Sequence, residues 1–195
     1  MKNRYTLLLA VLLLSFVGCK KNNDDPEPPT IEFVGFNYLE KDANGRDLQV
    51  EMIIHFKDKN GDIGHIDEEK TDACGRPVND LFLYYERYEN GIYIPHIIPH
   101  KDTLLDASCN IISIKDSAQY EQNRILRYIQ PEGNNKAIEG EISYLMRYQD
   151  VFSTLPPAPV SGQLLPAQGR FRIYIKDRAG NKSNEVYSQA LIVNR

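Results

Sequence analysis

Asp58, Asn60 and Asp62 place three oxygen-bearing side chains at alternate positions of the run Asp58-Lys59-Asn60-Gly61-Asp62-Ile63-Gly64. Hard oxygen donors at the first, third and fifth positions of a loop curl around Ca²⁺. Glu69 falls at the twelfth position, where such a loop brings a bidentate glutamate. Ile63, however, occupies the sixth position, where the sharp turn needs glycine, and no amphipathic helix flanks the run. The same residues also spell a simple turn. Asn60-Gly61 reverses the chain, and the aspartates hydrogen-bond its amides. Calcium held by Asp58, Asn60 and Asp62 therefore stands against turn chemistry.

The other reactive side chains form few constellations. Besides Cys19 there are two cysteines, Cys74 and Cys109. In an exported chain such a leftover pair is a candidate disulfide, here closing 36 residues counting both ends; two separate buried thiols are the alternative. His96 and His100 stand four apart in His96-Ile97-Ile98-Pro99-His100. Even spacing puts both on one face of a strand, but two imidazoles alone make a poor metal site, so surface histidines are expected. No G-x-S-x-G, P-loop, H-E-x-x-H or G-x-G-x-x-G is present, no carboxylate pair is singled out, and no catalytic residue is expected. Of the 12 tyrosines, Tyr84, Tyr85 and Tyr88 crowd one segment, and Tyr144 and Tyr148 share a strand face. An exposed aromatic row stacks on sugar rings; buried tyrosines only pack.

The elements that must position these residues are strands. Leu48, Val50, Met52, Ile54 and Phe56 alternate with Gln49, Glu51, Ile53 and His55, the period of a half-buried strand. Phe171, Ile173 and Ile175 repeat the pattern. Leu81–Tyr88 and Ile92–Ile97 flank Asn90-Gly91, a strong hairpin signal because both positions tolerate positive φ. Further strands are expected at Ile31–Tyr38, Ile138–Tyr148 and Glu185–Val193. Only Ser117–Tyr128 has room for a short helix, and Arg124–Gln130 reads equally as a strand. The sum is all-β, an antiparallel sandwich of seven to nine strands. At residues 30–195 it is long for one sandwich domain of about 100 residues, so insertions are expected in 64–80, 96–122 and 153–168.

Two terminal segments carry resemblances. Asp177-Arg178-Ala179-Gly180-Asn181-Lys182-Ser183-Asn184 is similar to the D-x-A-G-N-x-S segment joining the last two strands of bacterial immunoglobulin-like and fibronectin-III-like domains, which implies an Ig-like sandwich. At the other end, Lys2 and Arg4 precede an apolar run that closes at Gly18-Cys19. The run is too short to span a bilayer and reads as a secretory signal peptide. The junction resembles a bacterial lipobox, which implies cleavage before Cys19 and lipidation of its thiol; an ordinary signal peptide is the alternative. Residues 1–18 are thus the leader and 19–29 a disordered tether, since Lys20–Pro29 cannot fold by burial. Asp24, Asp25 and Glu27 resemble the acidic cluster that directs Bacteroidota lipoproteins to the outer face of the outer membrane. The run from Phe56 to Gly64 resembles one found in lipoproteins of the same group.

Removal of the leader leaves 177 residues and takes the net charge from −4 to about −6. Such a chain offers no basic surface for nucleic acid. The expectation is a non-catalytic, lipid-anchored surface module that binds or assembles with a protein or glycan partner. The alternative is an accessory lipoprotein that captures glycan or peptide for an outer-membrane uptake system.

Overall fold

A computed structural model describes residues 27–45, 47–66, 69–132, 136–147 and 168–192. The leader, Cys19, most of the tether, Tyr148 and the proline-rich segment 153–167 lie outside them. Within them the chain is all-β, with antiparallel sheets and no α-helix.

One sheet has the order β1-β2-β7, from β1 (Thr30–Lys41), β2 (Asp47–Asp58) and β7 (Ile138–Arg147). The second runs β10-β8-β3-β4, from β3 (Leu81–Glu89), β4 (Ile92–Pro95), β8 (Gln168–Ile175) and β10 (Leu191–Ile192); β9 (Val186–Tyr187) also pairs with β8. Alternation sets which side chains point inward. Val50, Met52, Ile54 and Phe56 of β2 meet Leu81, Leu83 and Tyr85 of β3 and Phe171, Ile173 and Ile175 of β8 in one apolar cluster. Two antiparallel sheets sharing a core in this way are what a β-sandwich requires. Burial of these side chains is the main driving force, at about 1.5–3 kcal/mol each.

Polar groups also tie the sheets together. Asn184 uses its side-chain amide as a substitute peptide. Its Oδ1 accepts from the Ile31 amide at 2.8 Å, and its Nδ2 donates to the Ile31 carbonyl at 2.8 Å. Gln122 is buried between the layers. Its Nε2 donates to the Tyr120 hydroxyl at 2.6 Å, and its Oε1 accepts from the Tyr144 hydroxyl of β7.

The Asn90-Gly91 hairpin forms as its sequence predicts, with φ of 51° and 87°. Four features differ from the sequence pattern. Ten strands are present among the described residues rather than seven to nine. The expected insertion 96–122 contains two of them, β5 (Ile97–Leu105) and β6 (Ile111–Gln119), paired as a separate two-stranded ribbon. The candidate helix at 117–128 is extended instead. Residues 120–124 pair with the first half of β3, where the Gln122 amide donates to the Leu83 carbonyl and that of Arg124 to Leu81. Tertiary pairing along an open strand edge outweighs local propensity there. The last expected strand, 185–193, is split into the short β9 and β10 because Ser188 turns its hydroxyl onto the Phe171 amide between them.

Candidate functional site

The Asp58 turn lies at the end of β2, where the inward face of that strand reaches the rim of the core. Asp58 is buried, and both its carboxylate oxygens accept backbone amides: Oδ1 from Asn60 at 3.0 Å and Oδ2 from Asp62 at 2.8 Å. Asn60 turns its Nδ2 to the carbonyl of Glu27, and Lys59 pairs with the Glu27 carboxylate, so the turn also clasps the start of the folded chain. Gly61, with φ 65°, lies where an added Cβ would meet the Lys136 carbonyl oxygen at 1.9 Å. Gly64, with φ 83°, is pressed in the same way against the backbone of Arg127. Ile63, the residue wrong for a calcium loop, has a fully buried core side chain, and its backbone forms an antiparallel β-bridge with Asp177. The run is therefore a crossing point for two other backbone segments, which explains both of its glycines.

Asp62 is the side chain this packing leaves least satisfied. Its Oδ1 is buried with no hydrogen-bond partner. Burial, and then the charges of Asp177 and Asp58, push its carboxyl above the usual aspartate range. Asp177 itself accepts from the Asn181 amide at 2.7 Å, while the Arg178 amide donates to the Asp62 carbonyl at 3.0 Å. Three aspartates thus converge from two loops. Among the described residues, no group of three or more His, Cys, Asp or Glu side chains is arranged to hold a metal ion. Glu69, the sequence's twelfth-position ligand, instead pairs with Arg178.

The next buried pair follows in sequence. His65 Nδ1 lies 2.7 Å from Asp80 Oδ1, an ion-pair distance whose alignment falls short of a hydrogen bond. Asp80 Oδ2 accepts from the Leu126 amide at 2.9 Å. Burial raises the Asp80 carboxyl, against the pull of that amide and of His65. Nothing in the sequence marked this pair, because its members meet only when residues 63–66, 80 and 126 are folded together. His96 also departs from the surface reading. It sits where β4 ends, half-buried and edge-on to Tyr85 and Tyr120, and burial lowers its pKa.

Cys74 and Cys109 are joined as a disulfide, with Cα atoms 5.4 Å apart. Each sits in an aspartate-capped turn. Asp72 Oδ1 accepts from the amides of Cys74 and Arg76, and Asp106 Oδ1 from those of Ser108 and Asn110. The bond pins the tip of the β5–β6 ribbon to the 72–76 turn. This arm displays Ile97, Leu104, Ile111, Ile112 and Ile114, each more than half exposed.

The tyrosine cluster is split by strand alternation. Tyr85 points inward and is fully buried, whereas Tyr84 and Tyr88 point outward. The outer face of the second sheet is a lattice of aromatic and cationic side chains. Arg170 lies between the rings of Tyr93 and Tyr187, at 4.3 and 4.1 Å; Arg172 covers Tyr84 at 4.7 Å; Tyr174 stacks on Phe82 at 4.6 Å. Glu86 holds Arg170 at 2.8 Å, and Glu185 holds Arg172 at 3.0 Å. Where this face meets the root of the arm, an open groove of about 480 Å³ is lined by Tyr84 on one side and by Lys115, Ser117, Gln119 and Glu121 on the other. Burial and the hydroxyl of Tyr174, 3.3 Å away, push the Tyr84 phenol well above its ordinary pKa.

No protein-family model matches this chain, and no curated protein or solved structure is similar enough to match it.

Proposed function

We propose that this chain is a non-catalytic lipoprotein, anchored through Cys19 to the outer membrane and displayed at the cell surface, whose Ig-like sandwich acts as a binding or assembly module. The observation that carries the reading is the arm. Two strands are held away from the sheets and pinned at the tip, yet they leave five Ile and Leu side chains in water. A two-stranded ribbon is marginal by itself, and apolar side chains left in water on both of its faces offer surface for contact. The partner in this reading is a protein at the cell surface. Anchoring follows the Gly18-Cys19 junction and the acidic residues behind it.

The test has two arms in the producing cells. Mass spectrometry of the mature N-terminus is expected to find acyl mass on Cys19, and Cys19→Ala is expected to be released from membranes. A photo-crosslinking residue at Ile112 is expected to capture one defined partner that a probe at Glu32, on β1, does not. An unmodified N-terminus refutes the anchor. Equal capture from both probe positions refutes the arm.

A second reading, an accessory lipoprotein that captures glycan or peptide for uptake, is favoured by the aromatic–cationic face and the groove beside it.

A further inference from the structure

We infer that the groove between Tyr84 and the Lys115–Glu121 segment is a binding site for a neutral oligosaccharide. The inference rests on the capture reading and assigns it a site and a ligand class.

Lys115, Ser117, Gln119 and Glu121 are alternate residues of one extended segment, so their side chains form a row on one face. The row spans roughly 20 Å, from six residue steps of about 3.3 Å. That length suits an oligomer rather than a single small molecule. The groove's volume of about 480 Å³ lies within the usual range for small-ligand sites.

Chemistry narrows the class. The row carries one cation and one anion at its two ends, with a hydroxyl and an amide between. A ligand with dense charge of either sign would meet a like charge at one end. A chain of hydroxyl groups, each both donor and acceptor, suits the two charged ends and the Ser117 hydroxyl, while the Gln119 amide, which already donates to the Tyr85 carbonyl at 3.4 Å, keeps its oxygen as an acceptor. Tyr84 lines the groove and supplies an aromatic wall for the apolar face of a sugar ring. Ile98, its strand partner Ala118, and Tyr120 line the groove as well and add apolar surface beside the row.

An extended peptide is disfavoured by the backbone. Peptides that add to a sheet need an edge with free amides and carbonyls. At the inner end of the groove that edge is taken: the Tyr120 amide donates to the His96 carbonyl, and the Tyr120 carbonyl accepts from Tyr85. The Gln122 amide is likewise bound to Leu83. Side chains are what this end of the groove offers a ligand.

The test uses full-length lipidated protein in detergent micelles and calorimetric titration with neutral pentasaccharides of glucan, xylan and mannan type. A peptide of alternating valine and threonine is titrated in parallel. One saccharide type is expected to bind. Ser117→Trp, which fills the groove from an exposed position, is expected to weaken that binding at least tenfold, with an unchanged melting temperature. Glu121→Gln reports separately on an end of the row without adding bulk, and a severalfold loss is expected. Saccharide binding that survives both substitutions overturns the groove while leaving capture standing. No binding by any saccharide at millimolar concentration overturns both. Peptide binding in place of saccharide overturns the ligand class.

Discussion

Removing the Cys74–Cys109 bond is expected to cost the fold about 4 kcal/mol. The bond joins residues 35 apart, and the chain-entropy relation for a loop of that size gives roughly 3.8 kcal/mol at 25 °C. For a chain in this size range that is a fall in melting temperature of about 8–15 °C. The variant is Cys74→Ala with Cys109→Ala, measured by thermal and urea unfolding. Both turns keep their caps in this variant, because Asp72 and Asp106 accept backbone amides that the substitution leaves in place. The loss should therefore report the missing cross-link rather than a collapsed loop. Cys109 adds an internal control. Its φ of 65° is left-handed, a conformation costing a non-glycine residue about 1–2 kcal/mol. Pairing Cys74→Ala with Cys109→Gly is thus expected to recover about 1 kcal/mol over the double alanine variant. A loss below about 1 kcal/mol would refute the reasoning. So would an unchanged global transition with hydrogen exchange accelerated only in β5 and β6, since the arm would then unfold independently of the two sheets.

Two other substitutions test the close contacts. Gly169→Ala places a Cβ 2.1 Å from the Tyr85 hydroxyl and 2.6 Å from the Glu86 carbonyl. Backbone cannot move aside as a flexible side chain would, so a destabilisation of about 1–3 kcal/mol is expected in urea unfolding. Tyr85→Phe in the same background is expected to recover only part of it, and full recovery would show that the Glu86 carbonyl is not in the way. Asp62→Asn is expected to raise the melting temperature at neutral pH in calcium-free buffer, because the folded state raises the Asp62 carboxyl. Such a group opposes folding above its folded pKa, and the opposition fades as pH falls through that value. The gain should accordingly shrink on acidification. If millimolar calcium instead stabilises the parent and Asp62→Asn abolishes the effect, the metal reading replaces the turn reading.

Most strands were legible because burial on one face writes a two-residue period locally. Leu48–Phe56 and Phe171–Ile175 show it plainly, and both strands form where it predicts. The Asn90-Gly91 hairpin and the cysteine pair were legible for the same reason: one needs only adjacent residues that tolerate positive φ, the other only two thiols in an oxidising compartment. The arm was not legible. Its strands, Ile97–Leu105 and Ile111–Gln119, touch the core only at their root, where Ile98 packs against it, so no alternation was imposed along the rest of their length. The function of the Phe56–Gly64 run was hidden as well. Its aspartates look alike in sequence, but tertiary structure divides them. Asp58 receives two amides, whereas Asp62 is left against Asp177, more than a hundred residues away in the chain. Gly61 and Gly64 are required by the backbones of Lys136 and Arg127, which only the fold brings across them. The groove, too, depends on a long-range meeting. Tyr84 and Ser117 belong to different elements, and the return of residues 120–124 to the edge of β3 sets them side by side. Local periodicity therefore determines which residues face inward along a strand. Which strands meet, and which polar atoms remain unpaired when they do, is decided by packing between segments distant in the chain.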